Sequence, residues 1–173
     1  MFLADKIINL RKKAGWSQEE AKMKNPSVPR VLALDLEATL ISNAVSQFPH
    51  PQLFEFLERC KELFPRVVMF TTVREELFRQ IARRLVEEDA APGWLSELEC
   101  IHWTGTIKDL AFIPGCVADE AILVDDLAAY VHPAQRAQWV KVDPFERLFD
   151  DSDAGFKELE ARVRPDGAKG ALP

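Results

Sequence analysis

RVLALDLEATLIS, from Arg30 to Ser42, is an apolar run that breaks into carboxylates at Asp35 and Glu37. Val31, Leu32, Ala33 and Leu34 show no polar alternation, as expected of a strand buried on both faces of a parallel sheet. Two further runs end in the same way. RVVMFTT (Arg66 to Thr72) ends in the hydroxyls of Thr71 and Thr72, and AILVDDLAAYVHP (Ala121 to Pro133) passes into the pair Asp125 and Asp126. Open α/β sheets bind ligands just beyond the carboxyl ends of their strands. Together with Lys108, from TIKDL (Thr106 to Leu110), these ends bring carboxylates, hydroxyls and an ammonium to one sheet edge. Such a set suits phosphoryl transfer, which needs an anionic nucleophile, oxygen ligands for Mg²⁺, and cationic and hydroxyl contacts for phosphate oxygens.

Between these runs the spacing predicts helices. PQLFEFLERCKELF (Pro51 to Phe64) repeats apolar residues at helical intervals behind an opening proline, and REELFRQIARRLVEED (Arg74 to Asp89) does so before Ala-Pro-Gly at 91–93. A short strand is expected around Glu99 to Trp103, a turn or short helix at Leu127 to Tyr130, a further strand at Trp139 to Phe145, and a last helix at about Ser152 to Val163. This alternation predicts an α/β fold with a doubly wound parallel sheet. The first two strands lie close in sequence, leaving room for only a short flap near Ser42 to His50 and none for a cap domain.

The chain divides into three parts. Residues 30–164 form the expected domain, and the Pro- and Gly-bearing end at 165–173 is expected to be disordered. Residues 1–29 read as an amphipathic helix and linker, or a fusion remnant. Leu3, Ile7, Ile8 and Leu10 have helical spacing, and LRKKAGWSQEE resembles the start of a phage-repressor-type helix-turn-helix, but AKMKNPSVPR then brings two prolines and no recognition helix.

The 173 residues are 47% hydrophobic, enough for one real core, and their net charge of −6 argues against non-specific nucleic-acid binding. Cys60, Cys100 and Cys116 are odd in number and lack a CxxC pair, so they read as reduced thiols of a cytoplasmic protein. No secretory leader pattern or membrane-span-length apolar run is present.

Each site residue also has a plainer reading. Asp35 could cap a turn, Thr72 could cap the helix that follows it, Lys108 could be a solvated surface lysine, and Asp125 with Asp126 could form an acidic turn without metal. Asp35 also has the chemistry of a nucleophile that forms an aspartyl-phosphate. The adjacent carboxylates Asp125 and Asp126 repel each other unless a cation such as Mg²⁺ compensates.

The ordered set Asp-x-Glu-x-Thr-Leu, Phe-Thr-Thr, Ile-Lys-Asp-Leu and Val-Asp-Asp-Leu-Ala-Ala-Tyr-x-His-Pro resembles the haloacid dehalogenase (HAD) superfamily. It is most similar to the NIF-like branch, relatives of small RNA-polymerase-tail phosphatases, over about Arg30 to Phe145. The resemblance implies a capless HAD-like Rossmannoid fold and a Mg²⁺-dependent phosphatase. It implies Asp35 as nucleophile and metal ligand, and Glu37 as acid/base with its backbone carbonyl at the metal. Thr71 and Lys108 would hold phosphate, with Thr72 beside them; Asp126 would bind Mg²⁺, and Asp125 would bind or orient it. The implied substrate is a phosphorylated protein or a small phosphate ester. Glu37 departs from the pattern, because the family carries Asp there. Its intrinsic pKa is similar, about 4.3 against 3.9, but its reach is one methylene longer, and a displacement of about 1 Å can cost roughly a hundredfold in rate.

Three other readings compete with a phosphatase. One is a catalytically weak HAD-like scaffold that binds a phosphorylated partner. Another is a signalling receiver domain, in which the acidic pair would come early in the chain. The third is a DNA-binding regulator using residues 1–20.

Overall fold

The computed structural model describes residues 29–145. The helix-turn-helix-like start, the helix expected at 152–163 and the tail at 165–173 lie outside those residues. Four parallel strands form the sheet: β1 (Val31–Leu34), β2 (Arg66–Met69), β3 (Ala121–Asp125) and β4 (Trp139–Lys141), in the order β2-β1-β3-β4. β1 lies between β2 and β3, with Leu34 opposite Met69 on one side and Val124 on the other. Every residue of β1 and β3 is buried, which is why these two runs carry no polar alternation.

Two α-helices cover one face. α1 (Leu53–Leu63) buries Leu53, Phe56, Leu57, Cys60 and Leu63, and α2 (Glu75–Glu87) buries Phe78, Ile81, Ala82 and Leu85. Both stripes follow the 3.6-residue period, and both pack on Leu32, Leu34, Val67, Met69, Ile122, Val124 and Val140. α1 starts inside its expected span, after Gln52 turns left-handed at φ +64. α2 stops at Glu87, because Ala90 N and Ala91 N both fold back to Leu85 O and Asp89 sits at φ +54.

The opposite face is built differently. Val31, Ala33, Val68, Phe70, Ala121 and Leu123 pack against Ile101, Leu110, Ile113 and Val131, which come from turns and short 3₁₀ segments. Crossovers of one hand must change face when the chain reverses direction across the sheet. The chain moves outward through β1, β2 and the segment at Cys100, with α1 and α2 on one face. It then returns over the other face, through residues 102–120, to reach β3.

Two expected strands are shorter than their sequence patterns. The strand at Glu99–Trp103 reduces to one bridge, in which Met69 N donates to Glu99 O (2.8 Å) and Ile101 N to Met69 O (2.8 Å). Beyond it the chain turns away at Gly105, whose φ of +89 suits glycine. β4 ends at Lys141, although Val142 N still donates to Asp125 O (3.3 Å). Pro144 then offers no N–H for pairing.

The link from β1 to α1 is the expected short flap. A tight turn over Leu36–Ser42 has Leu40 N and Ile41 N both donating to Leu36 O (2.9 and 3.0 Å), and a bridge pairs Ile41 with Pro49. Asn43 Oδ1 caps the tip by accepting from Val45 N and Ser46 N.

Candidate active site

The carboxyl ends of β1 and β3 are neighbours, so Asp35 and Asp125 come together without any long loop. Lys108 reaches them from the return crossover. Its backbone is fixed by a bridge to Val131 and by Lys108 N donating to Tyr130 O (2.7 Å). Next to it, Asp109 Oδ1 accepts from Ala111 N (2.9 Å) and Gln135 Nε2 (2.6 Å), while Gln135 Oε1 accepts from Leu110 N (3.0 Å). This clip ties the lysine-bearing turn to the segment before β4.

Thus aimed, Lys108 Nζ donates to Asp35 Oδ1 at 2.7 Å and to Asp125 Oδ2 at 2.6 Å. Lys108 is 1% exposed, Asp35 6% and Asp125 fully buried, so the plainer reading of Lys108 as a solvated lysine does not hold. Tyr130 presents its ring 5.5 Å from the same ammonium. Asp125 Oδ1 accepts from Leu127 N (2.8 Å), and Thr39 Oγ1 lies 3.4 Å from Asp35 Oδ2, donating to it.

Half-buried Asp126 completes the acidic group. Asp35, Asp125 and Asp126 each offer one carboxylate oxygen, all within 4.8 Å of one another. One ammonium does not balance three carboxylates. Burial pushes the Asp35 carboxyl from its ordinary 3.8 up to about 6, against the pull of Lys108, and the charge on Asp125 adds to the rise. Asp126 is also raised, first by burial and then by Asp125. An all-oxygen, electron-rich, undercompensated cluster fits a hard divalent cation such as Mg²⁺.

Thr71 follows β2 and is buried at the same sheet edge; its Oγ1 accepts from Val73 N at 3.3 Å. Thr72 is exposed and does not cap α2: the capping position is Arg74, which makes no side-chain cap bond. Glu37 is half-buried and does not join the three aspartates. Its Oε1 accepts from Ala44 N in the flap (2.7 Å), yet it lies near enough to Asp126 to contribute to that residue's raised pKa. Ala38, next to it, is held left-handed at φ +54, a strain on the order of 1 kcal/mol. Sequence reasoning missed the Asp109–Gln135 clip and the roles of Thr39 and Tyr130 around the site. Thr39 lies four residues after Asp35, within the opening motif, and Tyr130 lies within the motif that follows Asp125 and Asp126; Gln135 carries no local signal.

A parallel α/β sheet with a buried carboxylate–lysine–carboxylate bridge and an acidic pair at its carboxyl edge has the architecture of the HAD superfamily. The family described as NLI interacting factor-like phosphatase, a member of that superfamily, matches residues 30–165, and the chain belongs to it. A comparison with curated proteins gives no match. Among the described residues, no helix is long and apolar enough to cross a membrane.

Proposed function

We propose that the chain is a Mg²⁺-dependent phosphatase that works through an aspartyl-phosphate. The observation that carries this reading is Lys108 bridging Asp35 and Asp125 inside a cluster of three carboxylates, in a chain of a phosphatase family. Asp35, Asp126 and the carbonyl of Glu37 would hold Mg²⁺, with Asp125 binding or orienting it. The ion would supply charge neutralisation for the incoming phosphate. Asp35 attacks phosphorus, the ester P–O bond breaks, and the leaving oxygen takes a proton from Glu37. Water then attacks the acyl-phosphate, Glu37 takes its proton, and inorganic phosphate leaves with Asp35 restored. Glu37 Oε1 is held by Ala44 N, so Oε2 is the atom we assign to the proton. Lys108 and the Thr71 hydroxyl neutralise and hold the phosphate oxygens. Thr71 Oγ1 accepts from Val73 N, which leaves its O–H free to donate. Thr72 supplies only a rim contact.

The flap is short, and an open site of this kind suits a phosphorylated protein as well as a small phosphate ester; nucleic acid is not an expected ligand. The functional unit is residues 30–164, in a cytoplasmic protein. The Glu37–Ala44 contact also favours a second reading, a weakly active scaffold that binds a phosphorylated partner. Asp35→Asn separates the two, because it removes the nucleophile while nearly keeping side-chain volume. The phosphatase reading expects wild type to release phosphate from a generic aryl phosphate with Mg²⁺, and Asp35→Asn to fall to background. Phosphate release by Asp35→Asn above a few per cent of wild type would overturn the covalent role.

A further inference from the structure

Two indole N–H groups fasten the strand ends that carry the site. On the β2 edge, Ile101 N donates to Met69 O. In a parallel ladder the next rung would bring the backbone N of residue 103 to Thr71 O. The side chain of Trp103 takes that place: its Nε1 donates to Thr71 O at 3.1 Å. At β3, Trp139 Nε1 donates to Asp125 O at 2.9 Å, beside the longer bond from Val142 N. Both indoles are half-buried against the apolar cluster of the face that carries no α-helix among the described residues, and Trp103 stands edge-on to Phe70 with ring centroids 5.8 Å apart.

Fixing a carbonyl fixes its peptide plane, and with it the direction of the side chains on either side. Held at Thr71 O, the 71–72 peptide sets where the Thr71 hydroxyl points. Held at Asp125 O, the 125–126 peptide sets where the Asp126 carboxylate points. We propose that Trp103 and Trp139 are positioning residues with divided duties, Trp103 for the phosphate contact and Trp139 for the metal-facing acidic pair. This rests on the phosphatase reading of the same site.

The test replaces each tryptophan with phenylalanine, which keeps an aromatic ring in the apolar cluster and removes the N–H. Trp94→Phe is the control, because its indole donates to Glu58 Oε1 on an exposed surface. Calorimetry with Mg²⁺ alone should show Trp139→Phe weaker by about 10–100-fold and Trp103→Phe unchanged, the range typical of losing a partner behind a metal ligand. Titration of inorganic phosphate into Mg²⁺-loaded protein should show Trp103→Phe weakened while Trp94→Phe matches wild type. If a variant fails to fold, ¹⁵N spectra of wild type serve instead. The indole N–H of Trp139 should then shift with Mg²⁺ and that of Trp103 with phosphate, while that of Trp94 stays still. Intact wild-type binding with unaltered variants, equal losses in all three variants, or unmoved indole signals would overturn the positioning roles. Wild type that binds neither Mg²⁺ nor phosphate would overturn the phosphatase reading and this inference together.

Discussion

The two faces of the sheet are built on different principles. One carries two amphipathic helices whose buried residues follow a regular period and pack into one apolar cluster. The other is covered by turns and 3₁₀ segments, and it supplies Lys108, Tyr130 and both indoles. The helical face secures the sheet through apolar area, which is insensitive to exact placement. The turn-covered face uses hydrogen bonds and one buried ion bridge, which require exact placement. Changes on the first face should therefore act on stability, and changes on the second on chemistry.

The largest effect should come from Lys108→Met, which keeps length and removes the ammonium between two buried carboxylates. Turnover should fall by about 10³-fold or more, as when a charge that stabilises a phosphoryl transition state is lost. The melting temperature of the metal-free protein should fall too, because buried carboxylates lose their partner. Activity within tenfold of wild type would remove Lys108 from the reaction and break the contrast between the faces.

Glu37→Gln should lower the rate by about 10²–10⁴-fold if Oε2 carries the proton. Glu37→Asp should match or exceed wild type while loosening the flap, since the shorter side chain gives up Ala44 N. Equal rates for wild type and Glu37→Gln would end the acid/base role and leave Glu37 as a flap tether.

On the helical face, Phe78→Ala opens a cavity under α2 at a fully buried position and should cost about 3–5 kcal/mol of stability by denaturant melts. At a temperature where it stays folded, its kcat should remain within a few-fold of wild type. A loss of turnover comparable to that of Lys108→Met would show that the two faces are coupled.

The smallest effect concerns Asp35 in metal-free protein. Its folded pKa of about 6 lies above its ordinary 3.8, so in that window the folded state binds more protons than the unfolded state. Its contribution to stability therefore falls as pH rises through the window and is most unfavourable above it. Asp35→Asn should raise the melting temperature of chelator-treated protein at about pH 7.5, with the gain shrinking as pH falls towards about 4. A gain independent of pH would assign the effect to something other than this carboxyl.

The helical face was legible in its period, although Phe54 of the same apolar run lies exposed. Phe56, Leu57 and Cys60, then Phe78, Ile81 and Leu85, fall on helical periods and are buried as expected. The turn-covered face was legible only in its chemistry. Lys108 stands out in the sequence only by its company, and its burial is invisible there, because the residues that enclose it come from 35, 125 and 130. The strand expected at Glu99–Trp103 was overcounted for a related reason. Its β-rich composition is real, but Trp103 spends its side chain rather than its backbone on the ladder.

By itself the sequence determined the parallel α/β sheet, the amphipathic helices that follow β1 and β2 and the edge at which Asp35, Thr71, Lys108, Asp125 and Asp126 would gather. Periodicity and abrupt polar endings are local properties, and strand ends in such a sheet converge by topology. Only the tertiary structure decided that Lys108 bridges two carboxylates, that Glu37 turns to the flap, that Thr72 stays outside the cluster, that the Trp103 indole replaces a backbone donor and that the Trp139 indole joins one. Those outcomes depend on hydrogen bonds between residues far apart in the chain, whose geometry follows from packing and leaves no periodic trace in sequence.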